Sequence, residues 1–209
     1  MAKAAILCLD ATFKTSPRGS YQTLYVHGLT ENSDVTKAEW HMLLMAIMTD
    51  KEETSYNIIV TTILSAWKRL DLTPKFERLH IDFEPAMQSA FKKLGGAEKL
   101  KGCFFHFAQN IYGHARSLGL TRFYLLRGKY TQIRLYMKLL MALPLLSKED
   151  IQLVWKYRLK DFHNYLCPED YDPFTDGPWP TSQLQKLSTY VEKWINREGS
   201  ILDLSNLIR

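Results

Sequence analysis

The stretch Ala4 to Phe13, AAILCLDATF, is apolar at nearly every position and carries one acid, Asp10, near its end. A run this short and this continuous reads as a buried strand. The residues after it limit how that strand is partnered. Thr15 to Ser20 holds Pro17 and Gly19 and predicts a turn, and Tyr21 to Thr30 (YQTLYVHGLT) predicts a second strand, so the pair forms an antiparallel hairpin. A polar loop at Glu31 to Lys37 leads to Trp40 to Thr49, WHMLLMAIMT. Periodicity alone allows a strand or a buried helix there, and its place after a hairpin favours a third strand.

Helical spacing begins next. Asp50 with Glu53 three residues on suggests a capped start, followed by Tyr56, Ile59, Val60, Ile63, Trp67 and Leu70 on one face. Pro74 ends that helix, and Phe76 to Phe83 (FERLHIDF) alternates into a fourth strand that also ends in an acid, Asp82. Pro85 suits the first turn of a second helix, with the stripe Met87, Ala90, Phe91 and Leu94 and a stop at Gly95-Gly96. Lys101 to Phe105 predicts a fifth strand, and from about Phe107 the pattern is helical, with a turn cluster at Cys167 to Pro180. The stripe Leu135, Leu139, Leu140 and Leu143 is expected to be core of the helical part. The class is α/β: a mixed sheet flanked by helices, followed by a mostly helical C-terminal region.

Composition sets the bounds. With 209 residues and 46% apolar content the chain can bury one substantial core and a smaller one beside it. Cys8, Cys103 and Cys167 are three cysteines at wide spacing, which argues against a disulfide framework and for a reducing, intracellular setting. No apolar run reaches the roughly 20 residues a membrane helix needs, so no membrane partner is expected. The net charge of +5 is unevenly spread. Residues 1–100 carry 12 basic and 12 acidic side chains, residues 101–160 carry 11 and 2, and residues 161–209 carry 4 and 8. Between Lys101 and Lys148 there are eight cations and no acid, interleaved with aromatic residues. Such a stretch attracts a polyanion by counterion release; a solvated helical face balanced by the acidic C-terminal third is the plainer account.

Asp10 and Asp82 sit at the ends of two predicted strands. If those strands are parallel neighbours, both carboxylates reach one sheet edge, the place where α/β sheets hold ligands. Two carboxylates that close are reconciled by a divalent cation such as Mg²⁺ or Mn²⁺, which takes hard oxygen ligands. Turn formation or helix capping is the commoner role for an acid at a strand end.

Three tags in order extend this reading: LCLDATFKTSP around Asp10, HIDFEPAMQSAFKKL around Asp82, and GCFFHFAQNIYGHARSLGL beginning 20 residues after Asp82. In that order they resemble the transposase domain of Mutator-like elements (MULE), over roughly Ala4 to Leu120. The resemblance implies an RNase H-like transposase core over residues 1–120, with an insertion-like helical region at 121–209 that is acidic at its end. It implies a nuclear enzyme that cleaves and joins double-stranded DNA, with Asp10 and Asp82 as the first two acids of a DDE metal triad. Cys103 and His106 match the family's Cys-x-x-His element, with Gln109 beside them. His106 is expected to orient a phosphate or an attacking water. Lys14, Arg116, Arg122, Arg127, Lys129, Arg134 and Lys138 are expected to hold DNA phosphates without reading base sequence. A second copy of the chain is a further expected partner.

This sequence departs from the family pattern at two places. Ala11 replaces a usual Gly, and the third acid, a Glu in an Asn-rich tag, has no counterpart: Glu192 and Glu198 lack the flanking residues. Glu84 is a substitute ligand on offer, although a carboxylate just before Pro85 more commonly caps the helix. A zinc site is not expected, because one Cys-x-x-His pair stands without a clear completion among Cys8, His80, His114 and Cys167. Two functions therefore remain: a Mg²⁺-dependent transposase domain or fragment, and a non-catalytic nucleic-acid or protein-binding module descended from one.

Overall fold

The computed structural model describes the chain except residues 2, 32–37, 126–127 and 197–209. It divides into two compact units, Met1–Cys103 and a second from Phe104 onward.

The first unit is built on five strands, β1 (Ile6–Thr12), β2 (Gln22–Glu31), β3 (Ala38–Met48), β4 (Arg78–Ile81) and β5 (Leu100–Gly102), in the order β3-β2-β1-β4-β5. β1 pairs antiparallel with β2, which pairs antiparallel with β3, while β4 runs parallel to both β1 and β5. The hairpin and the third strand are thus as the apolar runs predict. Between β3 and β4 lies α1 (Glu53–Arg69), and between β4 and β5 lies α2 (Pro85–Gly95), so both parallel steps are made through a helix.

Alternation along the strands separates two faces. Leu7, Leu9, Leu24, Val26, Leu79, Ile81 and Leu100 are essentially inaccessible, as are Tyr56 and Val60 of α1 and Met87, Ala90 and Phe91 of α2. Each such side chain contributes about 1.5–3 kcal/mol on leaving water. Tyr56 and Phe91 meet edge to face at 6.3 Å, joining the two helices. The opposite face carries Cys8, Asp10 and His80, which are half-buried or exposed. On the edge strand Trp40, Met42, Met45 and Ile47 remain more than half exposed. A β-bulge between Val26 and His27 inserts Leu43 opposite them, and its side chain fills the space where a Cβ on Gly28 would stand.

Two local expectations are corrected. α1 is preceded by Glu52 at the N-cap, without a side-chain cap bond, and not by Asp50. Asp50 lies too early in the chain: its carboxylate accepts the Glu52 N–H at 2.9 Å and closes a turn ahead of the helix. β5 ends at Gly102 and not at Phe105, because Phe104 and Phe105 already belong to the first turn of α3 (Phe104–Ser117), where both are exposed. Hydrophobicity alone extends a strand into them; the buried positions Phe107, Ile111 and Ala115 mark a helix instead.

The second unit adds α4 (Thr121–Leu125), α5 (Thr131–Ala142), α6 (Lys148–Val154), a π-helical turn at Trp155–Leu159, the short α7 (Pro173–Asp176) and α8 (Thr181–Ile195). Its core joins Phe107 and Ile111 of α3, Ile133, Tyr136, Met137 and Leu140 of α5, and Leu184, Leu187 and Val191 of α8. The leucine stripe is only half core. Leu140 and Leu143 are buried, whereas Leu135 and Leu139 are 45% and 38% exposed, since Tyr136 and Met137 take the inward positions of α5. No described helix is long and apolar enough to cross a membrane.

Candidate functional site

The parallel ladder between β1 and β4 pairs Ile6 with Arg78, Leu7 with Leu79 and Cys8 with His80. Asp10 lies two residues beyond Cys8 within β1, and Asp82 two residues beyond His80, just past the end of β4. The next ladder pairs His80 with Lys101 and Ile81 with Gly102, and the Cys103 N–H donates to the Ile81 carbonyl at 2.9 Å, one step farther. Cys8, His80 and Lys101 therefore lie in one row across the three parallel strands, with Asp10 farther along β1 and Asp82 and Cys103 just past the ends of β4 and β5.

Asp82 leaves β4 under close control. One carboxylate oxygen accepts the N–H of Phe83 at 2.6 Å, and its backbone carbonyl accepts from Gln88 Nε2 of α2 at 2.9 Å. Asp10, on β1, is exposed, and Tyr25 on β2 lies directly across from it. The Cys8 thiol is pushed up to about 11 by burial first and then by Cys103 and Asp10, so it stays protonated near neutrality. His80 is held below the ordinary imidazole value by burial and by the Arg78 and Lys101 cations, so it is neutral there too.

Glu84 occupies the N-cap position of α2 but makes no side-chain cap bond. Burial raises its pKa, the nearby Tyr56 hydroxyl opposes that rise, and its Oε1 is buried without a hydrogen-bond partner among the described residues. The Tyr56 hydroxyl also accepts from Gln22 Nε2 at 2.6 Å. A buried hydrogen bond thus joins β2 to α1, with Glu84 close enough for the Tyr56 hydroxyl to influence its charge. Nothing in the sequence pattern marks it, because Gln22 and Tyr56 occur singly and only the fold joins them.

In the second unit His106 lies in the first turn of α3, with Gln109 exposed one turn on. Arg116 is exposed near the end of α3 and Arg122 on α4, where its guanidinium lies 4.4 Å over the ring of Phe123. Arg134 lies 5.7 Å over Tyr124, and Lys138 is exposed one turn farther along α5. Lys14, in the first unit, is exposed just after β1. Arg127, the side chain of Lys129 and Glu198 lie outside the described residues. His114 stacks on Tyr190 at 4.0 Å, and with Lys186 and Lys193 it lines a 370 Å³ groove. Those two lysines fall in the acidic third of the chain, where a tally by segment conceals a basic helix face. Among the described residues no group of three or more His, Cys, Asp or Glu side chains gathers as a metal site.

A five-stranded mixed sheet with both acids at the carboxyl ends of adjacent parallel strands belongs to the α/β proteins that present ligand sites along that edge. Residues 6–110 match the family model of the MULE transposase domain, half of the chain, and the chain belongs to that family. A search of curated proteins finds no match.

Proposed function

We propose that this chain is the RNase H-like domain of a MULE-type transposase, acting on double-stranded DNA in the nucleus through a divalent cation held by Asp10 and Asp82. What supports this reading is the parallel β1–β4 register of Cys8 against His80, from which Asp10 and Asp82 each lie two residues on, 72 positions apart in the chain and inside the matched segment. MULE transposase domains generally depend on divalent metal. The donors fit part of such a shell: two hard carboxylates, with water and a DNA phosphate to complete it. When bound, Mg²⁺ or Mn²⁺ would offset the repulsion between the acids and polarise a phosphoryl oxygen.

The chain's own residues supply the rest. Asp82 is oriented by the Phe83 N–H and, through its backbone, by Gln88. Glu84, engaged with Tyr56, is assigned to holding this segment and not to the metal. His106, in the family's Cys-x-x-His element with Cys103, is assigned to orienting a phosphate, and Lys14, Arg116, Arg122, Arg134 and Lys138 to holding the duplex backbone.

A second reading has a specific observation in its favour: the absence of a three-ligand group among the described residues suits a transposase-derived module that binds DNA without cutting it. Titration with Mn²⁺ followed by electron paramagnetic resonance tests the first. The parent chain should bind the ion, and Asp10→Asn or Asp82→Asn should weaken binding at least about tenfold, since each removes a charged oxygen donor. Unchanged affinity in both folded variants overturns the metal site. A metal-binding chain that leaves duplex DNA uncut in Mg²⁺ and Mn²⁺ favours the second reading.

A further inference from the structure

The helical unit contains a cavity of about 480 Å³, a size usual for ligand pockets, at the π-helical turn Trp155–Leu159 and the 3₁₀ turn Phe162–Tyr165. Single π-turns within α-helices are frequently found at functional sites. This one is firmly pinned. Trp155 and Leu159 are buried, the Lys160 N–H donates to the Trp155 carbonyl at 2.9 Å, and the Lys160 carbonyl accepts from Ser188 Oγ of α8 at 2.8 Å. Anchored inward at both ends, the turn presents Lys156, Tyr157 and Arg158 outward.

The lining combines two kinds of group. Tyr157 and Tyr165 are 65% and 79% exposed, a large aromatic area in water with no packing role to explain it, and Phe162 shares the lining with them. Lys156 lies 5.0 Å over the Tyr157 ring, and Arg158 adds a second cation; Asp161 is the lone carboxylate of the lining. Lys160 is engaged elsewhere, in an ion pair with Glu192 at 2.8 Å. Rings on a fixed backbone with cations beside them form the arrangement that stacks unpaired bases while neutralising their phosphates. A duplex buries its base faces and offers such rings nothing.

We infer that this pocket binds unpaired nucleotides of single-stranded DNA, with bases against Tyr157 and Tyr165 and phosphates on Lys156 and Arg158. The inference rests on the reading of the chain as DNA-binding and does not require Asp10 and Asp82 to hold metal. The test uses the full chain and a 12-nucleotide single strand carrying 2-aminopurine, with a duplex of the same length as the second arm. Stacking should quench the fluorescence. Tyr157→Ala/Tyr165→Ala should weaken single-strand binding about tenfold or more, Tyr157→Phe/Tyr165→Phe should restore it, and duplex binding should change less than twofold. Both tyrosines are exposed, so folding is retained and circular dichroism verifies it. A parent chain that binds duplex but not single strand overturns the inference while leaving the DNA reading intact. Equal loss in both arms, equal single-strand binding by the alanine variant, or equal displacement by polyglutamate likewise overturns it, the last by showing a generic anion groove.

Discussion

Tyr56→Phe removes one oxygen from the buried hydrogen bond that joins β2 to α1. Gln22 is 1% exposed and its amide donates to that oxygen at 2.6 Å; among the described residues the other acceptor the amide meets is the Met48 sulfur, at 3.5 Å. Stranding a buried amide donor costs about 1–3 kcal/mol. The expected loss is about 1–3 kcal/mol, or roughly 2–12 °C in Tm for a chain of this size. It should also depend on pH. Burial raises the Glu84 pKa and the Tyr56 contact opposes that rise, so Tyr56→Phe lifts it further. A carboxyl whose folded pKa lies above its unfolded one gives stability that is complete at low pH and lost as pH climbs through the folded value. The loss should therefore be larger at pH 7.5 than at pH 4. Urea unfolding at the two pH values measures it, and the Tyr56→Phe/Gln22→Leu double variant should recover about 1 kcal/mol or more through coupling between touching residues. A loss under about 0.5 kcal/mol, or one of equal size at both pH values, would refute this account of the chain.

Two further outcomes are checked by the same unfolding measurement. Glu84→Gln keeps an acceptor for Tyr56 but removes a charge that burial disfavours, so the urea midpoint should rise at pH 7.5 and the gain should vanish below the ordinary glutamate value of 4.5; destabilisation at pH 7.5 would mean that the charge is wanted. Gly28→Ala places a methyl onto the Leu43 side chain and 3.0 Å from the Ala4 Cβ, an overpacking cost of about 1–3 kcal/mol. Leu43→Ala in the same chain should relieve it, and an unchanged midpoint for Gly28→Ala alone would disprove the close approach.

What was legible in the sequence depended on how local its physical cause was. The five strands and the first two helices follow from apolar runs and breakers: β1 from its continuous apolar run, the start of α2 from Pro85, and its end from Gly96, whose φ of +90° is one that a side chain resists. The helix start at Phe104 was missed because two adjacent phenylalanines look like strand core and turn out exposed. Leu135 and Leu139 failed for the complementary reason: an amphipathic stripe specifies that a helix has an inward face but not how far round the cover extends. The Gln22–Tyr56 hydrogen bond and the tyrosine pocket on the π-turn had no local signal at all. Each depends on contacts between elements distant in sequence.

The acid pair lies between these extremes, and chain connectivity explains why. A hairpin partner places the start of one strand beside the end of the other, so β2 sets Tyr25 opposite Asp10, and no second strand end can come from that side. Only a strand returning through a helix, as β4 does through α1, runs the same way as β1 and finishes at the same edge. Register then decides whether the acid is useful. Side chains alternate faces, so a one-residue slip of β4 would send Asp82 to the face occupied by Leu79 and Ile81 and expose those two residues in its place. Burial of Leu79 and Ile81 at 1% and 0% exposure therefore fixes which face each β4 residue takes up to the point where the chain leaves the strand. The apolar core sets the register, and the metal role proposed for Asp10 and Asp82 depends on that register.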